Sequence, residues 1–308
     1  DPEPGPKWGM GIAVCDFNND GWPDIYIAND VSDNFLFENQ RDGTFKNIAL
    51  EAMAAVGLDG AEQGSMGVDA GDFDGDGSFD LIVTNYHKQL NALYHNEGKF
   101  GFSDQALSRG MGDSTLPMVG WGTRLFDYDN DGQLDLFVAN GHLEDQIDRY
   151  DQSSEYRQRN QLYRGENKRF TEITNGGGSG LREKLSSRGA AFGDIDNDGD
   201  IDIVICNSRE RPSLLINETS NKNTWLSLKL KGKKDPYALG ARASVTAAGR
   251  TQVAEVRSGG SYVCQNDLRL HFGLAGSKKA EKVIIRWPGG NSSTFENLET
   301  NREHLLKE

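Results

Sequence analysis

The chain has 308 residues and a net charge of −14, with 37 glycines, 8 prolines and 3 cysteines. It is too long for one small domain and short for three; no run of eighteen apolar residues offers a membrane-spanning helix, and the acidic balance argues against nucleic acid as the main partner. Cys15, Cys206 and Cys264 are far apart and odd in number, so they form neither a disulfide framework nor a zinc spacing and read as buried thiols acting as small apolar residues.

The start, "DPEPGPKWGM", lacks the basic and apolar regions of a signal peptide, which is therefore absent or already removed. A strand is expected over "GIAVCDF", followed by an acidic turn, "DFNNDGWPD" (16–24), and a second strand, "DIYIAN". Strands three and four fall around "FLFEN" and "TFKNIA". The acidic turn returns as "DFDGDGSFD" (72–80), "DYDNDGQLD" (127–135) and "DIDNDGDID" (194–202), at steps of 56, 55 and 67 residues. Each copy runs on into "IYIAN", "LIVTN", "LFVAN" or "IVICN", and each has a glycine five residues upstream: Gly11, Gly67, Gly122 and Gly189. A leucine follows downstream (Leu36, Leu93, Leu162, Leu214), and the first three copies add a turn and a phenylalanine, "DGTF", "EGKF" and "NKRF". A four-stranded unit repeating about every 50 residues is a propeller blade. The second strands are apolar at consecutive positions, as expected where neighbouring blades cover both faces. The upstream glycines are expected where blades crowd the axis.

Like charges at this density need a cation. Calcium takes six to eight oxygens at about 2.3–2.6 Å, and D-x-[DN]-x-D-G-x-x-D supplies them. Side-chain ligands are expected at positions 1, 3, 5 and 9, a carbonyl at 7, and the turn at glycine 6. The candidate ligands are Asp16, Asn18, Asp20, Trp22 and Asp24; Asp72, Asp74, Asp76, Ser78 and Asp80; Asp127, Asp129, Asp131, Gln133 and Asp135; and Asp194, Asp196, Asp198, Asp200 and Asp202. That predicts about four calcium ions, with the first site weakened by Asn18. An EF-hand would need glutamate at position 12, where Ile27, Val83, Val138 and Ile205 stand.

These motifs resemble FG-GAP/VCBS repeats. The segment "GARASVTAAGRTQVAEVRSGGSYVCQNDLRLHFGL" with "KVIIRWPGG" is similar to the ASPIC/UnbV domain, and "NGH…YRQRNQL" (140–162) also resembles the cartilage acidic protein-like family that joins the two. The resemblance covers nearly the whole chain and implies an all-β protein: four blades of a propeller, usually seven-bladed in such families, plus a C-terminal domain. It also implies an extracellular, periplasmic or cell-surface place and a role in adhesion or structure.

Residues 1–220 hold 18 Lys+Arg against 39 Asp+Glu, and residues 221–308 hold 15 against 8. The shift from −21 to +7 puts a domain boundary near "NETSNKNT" (217–224), dividing four calcium-loop blades (1–220) from a small β-sandwich or barrel (221–308). Its strands are expected at "WLSLKL", "ASVTAA", "QVAEVRS", "LRLHF", "KVIIRW" and "STFENL". Arg242, Arg250, Arg257, Arg269 and Arg286 are either outward strand positions or a basic face that meets the acidic blades. The third repeat carries about fifteen extra residues at 141–160, a candidate binding loop whose deletion is expected to leave calcium binding and melting nearly unchanged.

No nucleophile elbow, phosphate loop, dinucleotide fingerprint or H-E-x-x-H occurs, and the five histidines read as isolated, His142 in the insert being the one to test. No catalytic residue is expected. The favoured reading is a calcium-stabilised propeller that binds an unknown protein or glycan, with both ends of the array prone to self-association. The alternative, by resemblance alone, is an enzyme or accessory of an enediyne-type biosynthetic pathway.

Overall fold

A computed structural model describes residues 7–99 and 101–308. The first sheet contains β1 (Trp8–Cys15), β2 (Asp24–Asp30), β3 (Phe35–Asn39) and β4 (Phe45–Asn47); the second contains β5 (Val68–Gly71), β6 (Asp80–Val83), β7 (Ala92–Asn96) and β8 (Phe102–Asp104). The third is built from β9 (Gly120–Phe126), β10 (Asp135–Asn140) and, after the short β11 (Gln158–Arg159), from β12 (Gln161–Glu166) and β13 (Arg169–Glu172). Then β14 (Lys184–Leu185) pairs with β11, and β15 (Ser187–Gly193), β16 (Asp202–Asn207) and β17 (Ser213–Leu215) make a three-stranded fourth sheet. All four are antiparallel meanders. The missing fourth strand of the last sheet matches the missing turn-and-phenylalanine signal. Phe100, the phenylalanine of the second signal, lies outside the described residues; Phe102 pairs with Asn96 as Phe45 pairs with Asn39.

Apolar cores lie between successive blades, and they explain the unbroken apolar second strands. Leu81 and Val83 face the first blade, while Ile82 faces the third. Leu136 and Val138 face the second, and Phe137 and Ala139 the fourth. Burial on both faces stabilises by about 1.5–3 kcal/mol for each large side chain. The end blades have such cover on one side. Ile12 and Phe45 stay 45% and 44% exposed on the first blade, and Val204 and Leu214 stay 37% and 54% exposed on the last.

The C-terminal part forms two sheets around one core containing Leu226, Leu228, Val245, Val283, Ile285 and Trp287. One has the order β21 (Leu270–Gly273), β18 (Trp225–Lys231), β24 (Arg302–Lys307). The other has the order β20 (Arg250–Glu255), β19 (Arg242–Ala247), β22 (Lys279–Arg286), β23 (Ser292–Glu299). Of the two expected forms it is the sandwich. Strand β24 was not expected from the sequence; it pairs parallel with β18, a long-range pairing that no local turn announces.

The loop from β20 to β21 enters the array at its axis. Gly260 N–H donates to Ile12 O (3.2 Å) and Ser261 N–H to Val68 O (2.7 Å), while Ser261 Oγ accepts from Thr123 N–H (3.1 Å) and donates to Ala190 O (2.7 Å). One serine and its neighbour thus touch all four inner strands. The axial glycines sit where expected. A Cβ on Gly67 would lie 1.8 Å from Trp121 O in the next blade, and one on Gly189 would lie 2.7 Å from Tyr262 O in this loop.

Candidate metal centres

Every acidic loop joins the inner strand of its blade to the second strand, and the register is the same in all four. Cys15 pairs with Asp24, Gly71 with Asp80, Phe126 with Asp135 and Gly193 with Asp202. The position-9 aspartate therefore opens the second strand, and its two oxygens accept backbone N–H groups from fixed places. Asp80 accepts from Phe73 (3.1 Å) and Asn96 (2.8 Å), and Asp24 accepts from Phe17 (3.1 Å) and Asn39 (2.9 Å). The position-1 aspartate accepts from the N–H of the position-6 glycine: 2.9 Å at Asp16, 3.0 Å at Asp72, 2.7 Å at Asp127 and 3.1 Å at Asp194. Those glycines have φ of 95°, 90°, 82° and 95°, a left-handed conformation that resists a side chain. Position 4 is left-handed as well, at Asn19, Gly75, Asn130 and Asn197. That Asn-or-Gly signature stands in all four copies of the sequence and was not singled out.

Carboxylate oxygens from positions 1, 3 and 9 come within 4.8 Å of one another in three loops: Asp72, Asp74 and Asp80; Asp127, Asp129 and Asp135; Asp194, Asp196 and Asp202. Position 5 is placed differently. Asp20, Asp76, Asp131 and Asp198 each accept the N–H of the position-7 residue, Trp22, Ser78, Gln133 and Asp200. Asp76 also groups with Asp74 and His95, a histidine that no motif ties to the loop. Burial and crowding raise the proton affinity of some of these carboxylates. Burial, with help from Asp80, pushes Asp72 up to about 7; burial, with Asp131 and Asp129, pushes Asp127 up to about 8. Burial and the neighbouring aspartates push Asp200 up to about 6. Asp194 Oδ1 is buried with no hydrogen-bond partner among the described residues. A set of three hard oxygen donors with one left unpaired fits a calcium ion.

The FG-GAP-like repeat model matches residues 16–83, 72–138 and 127–205. The chain belongs to this family. The ASPIC and UnbV model matches residues 231–308. Cartilage acidic protein 1 of Xenopus tropicalis is 30% identical over 298 residues, covering 93% of this chain and 42% of that protein. The Homo sapiens protein of the same name is 28% identical over 288 residues, covering 92% and 41%. The chain thus spans about two fifths of the length of these relatives. Among solved structures, an Agrocybe aegerita lectin described as recognising non-reducing terminal N-acetylglucosamine aligns with a TM-score of 0.41 and 14% identity, over 94% of this chain and 81% of its own. BBS1N in complex with ARL6DN aligns with a TM-score of 0.40 and 10% identity, over 96% and 71%.

The ASPIC/UnbV domain lies on the FG-GAP loops, and all five arginines singled out in the sequence reach the blades. Arg286 pairs with Asp16, and Arg242 donates to Gly77 O. Arg250 donates to Asp131 O (3.4 Å), and Arg269 to Asp194 O (2.7 Å) and Asn197 Oδ1 (3.0 Å). Arg257 pairs with Asp69 (3.3 Å) at the axis. The opposite charges of the two halves therefore meet inside the molecule. Asn130 of the third FG-GAP loop ties three parts together: it donates to Asp200 Oδ1 (2.7 Å), its carbonyl accepts from Ala275 N–H (3.0 Å), and its Oδ1 lies 2.7 Å from His271 Nε2. A cavity of about 370 Å³ remains between loops and domain, lined among others by Asp127, Asp194, Arg124, Arg257, Arg269 and His271.

The 141–160 insert leaves the opposite ends of the FG-GAP strands and is not a detachable decoration. Gln158 accepts Val119 N–H (2.9 Å), Ser154 Oγ donates to Pro117 O (2.8 Å), and Ile147 is buried. The histidines are not isolated either. His142 is fully buried and packs on His87 at 5.7 Å and Tyr86 at 5.6 Å between ring centroids. Burial lowers the pKa of both His142 and His87. His95 Nδ1 lies 3.0 Å from Asp80 Oδ1.

Proposed function

We propose that this chain is a calcium-stabilised binding module that works outside the cytoplasm. Its metal loops hold the C-terminal domain in place, and the opposite face, with the 141–160 insert, meets a protein or a glycan. The observation that carries the calcium reading is the triad of carboxylates at positions 1, 3 and 9, within 4.8 Å in three loops, with Asp194 Oδ1 left unpartnered. Bound calcium would neutralise carboxylates that burial now disfavours, and it would rigidify the loops on which four arginines dock. Millimolar calcium suits an extracellular setting. At a dissociation constant of ~10 µM, 1 mM free calcium contributes roughly 2.7 kcal/mol per site. On the insert face, Leu143 and Tyr150 stand 64% and 61% exposed on an anchored frame, which favours contact with a partner over mere decoration.

The test pairs calorimetric calcium titration with melting in calcium and in chelator. Heats of binding and a melting temperature lowered by chelator are expected; an unchanged melting temperature would sink the calcium reading. A pull-down with the Leu143→Asp, Tyr150→Asp variant tests the face, since undiminished capture would move the partner site elsewhere.

A further inference from the structure

The first loop differs from the other three in what stands over its carboxylates. Where Arg242, Arg250 and Arg269 reach loops two to four, they bond to backbone carbonyls, of Gly77, Asp131 and Asp194. Arg286 alone among these four sets its guanidinium on a carboxylate, Oδ2 of Asp16 at position 1, an aspartate that is 3% exposed. Lys168 on Asp74 (3.2 Å) and Arg164 on Asp129 (3.1 Å) also pair with loop aspartates, but at position 3, and they leave the position-1 carboxylates to the cluster.

Positions 3 and 5 of the first loop are engaged as well. Position 3 is Asn18, whose Oδ1 accepts Asp20 N–H (3.0 Å) and whose Nδ2 donates to Asp20 Oδ2 (3.0 Å). An amide nitrogen cannot ligate calcium, and replacing aspartate by asparagine removes one charge. Arg41 Nη2 donates to the same Asp20 oxygen at 2.8 Å. The two oxygens of Asp24 accept Asn39 N–H and Phe17 N–H, as the position-9 aspartates do in the other loops, so the difference lies at positions 1, 3 and 5. Two of the three carboxylates, Asp16 and Asp20, thus each hold a guanidinium, and that of Arg286 is fixed to the C-terminal domain by strand β22.

Building on the calcium reading above, we propose that the guanidinium of Arg286 takes the place of calcium in the first loop. The chain then carries three calcium sites and one loop closed by an arginine of the other domain. A planar, permanently charged guanidinium suits a carboxylate that already accepts two backbone N–H groups. The consequence is a division of labour: three loops respond to calcium, and the first stays docked to the C-terminal domain without it.

The experiment counts calcium per chain by equilibrium dialysis and elemental analysis, and follows terbium emission excited through tryptophan. Trp22 is residue 7 of the first loop, while Trp225 stacks over Gly199 of the fourth. Three ions per wild-type chain are expected. Trp22→Phe should leave terbium emission unchanged, whereas Trp225→Phe should dim it. Asn18→Asp with Arg286→Gln should raise the count to four and create emission that Trp22→Phe then removes. Four ions in the wild type, or emission lost in Trp22→Phe alone, overturns the substitution while leaving the calcium reading intact. No bound ion sinks both. Wild type and Trp22→Phe decide the matter even if the double variant fails to fold.

Discussion

An aspartate in these loops serves two masters. Asp127 accepts backbone N–H groups from Asp131 and Gly132 and also stands within 4.8 Å of the Asp129 and Asp135 oxygens. The first role survives a change to asparagine in part; the second depends on charge. Asp127→Asn should therefore have opposite signs in two buffers. In calcium it should lose one ion and about 2–3 kcal/mol of stability. In chelator it should cost nothing or stabilise slightly, because it removes a carboxyl whose ionised form burial and the neighbouring aspartates disfavour. Denaturant titrations in both buffers check this, and equal losses in both would contradict it. The two packed histidines give a pH prediction far from the metal loops. Their folded pKa values lie below the ordinary 6.5, so the unfolded chain binds more protons as pH falls below that value. Their contribution is whole above about pH 6.5 and is lost on acidification toward the folded values. Around them Asp151 favours the charged forms, while Lys88 and Arg188 oppose them. His142→Gln should flatten the fall in melting temperature between pH 7.5 and 5.5 relative to wild type; parallel curves would show that burial does not matter there.

At the scale of the strand and the loop, two glycines of one sequence signature do different work. Gly67 is required for space, with Trp121 O at 1.8 Å from an added Cβ. Gly21 has nothing within 4 Å and is required for its φ of 95°. Gly67→Ala should cost roughly 3 kcal/mol or more, as two inner strands must part. Gly21→Ala should cost only about 1 kcal/mol. Paired thermal melts check the ranking, and similar losses would mean that the blades yield more easily than their contacts imply. Deleting 141–160 removes the acceptor for Val119 N–H and the β11–β14 pairing. It should lower the melting temperature rather than leave it unchanged, with circular dichroism as the readout. The repeat spacing made four blades legible, because each second strand carries its apolar residues in one block. The anchoring of the insert was not legible, because its partners are Pro117, Val119 and Lys184–Leu185, distant in sequence and without any pattern of their own.

On the scale of the whole molecule, charge and apolar surface tell different stories. The charge imbalance is resolved internally, by arginines of one half on the loops of the other. The apolar imbalance is not. Ile12 on one end blade and Val204 and Leu214 on the other repeat the pattern that inner blades bury, yet they face outward. Either further blades or another chain would cover such faces. This chain by itself should associate as concentration rises, and Ile12→Lys with Val204→Lys should return it to a monomer by light scattering. A wild-type chain monomeric at every concentration would show that these faces tolerate water.

The blades, the acidic loops and the sign of the charge on each half can be read without coordinates. These depend on local chemistry repeated four times: consecutive apolar residues between aspartate and asparagine, a glycine that permits a left-handed turn, and oxygens spaced for a cation. Tertiary structure decided which carboxylates meet. Position 9 reaches the cluster because it opens the second strand opposite the last residue of the first, while position 5 turns back onto its own loop. It also decided that Gly260 and Ser261 together touch four inner strands and that Arg286 stands on Asp16, 270 residues away in sequence. Such contacts arise from the docking of one domain on another, and no periodicity records them, because the residues that meet share neither a strand nor a turn.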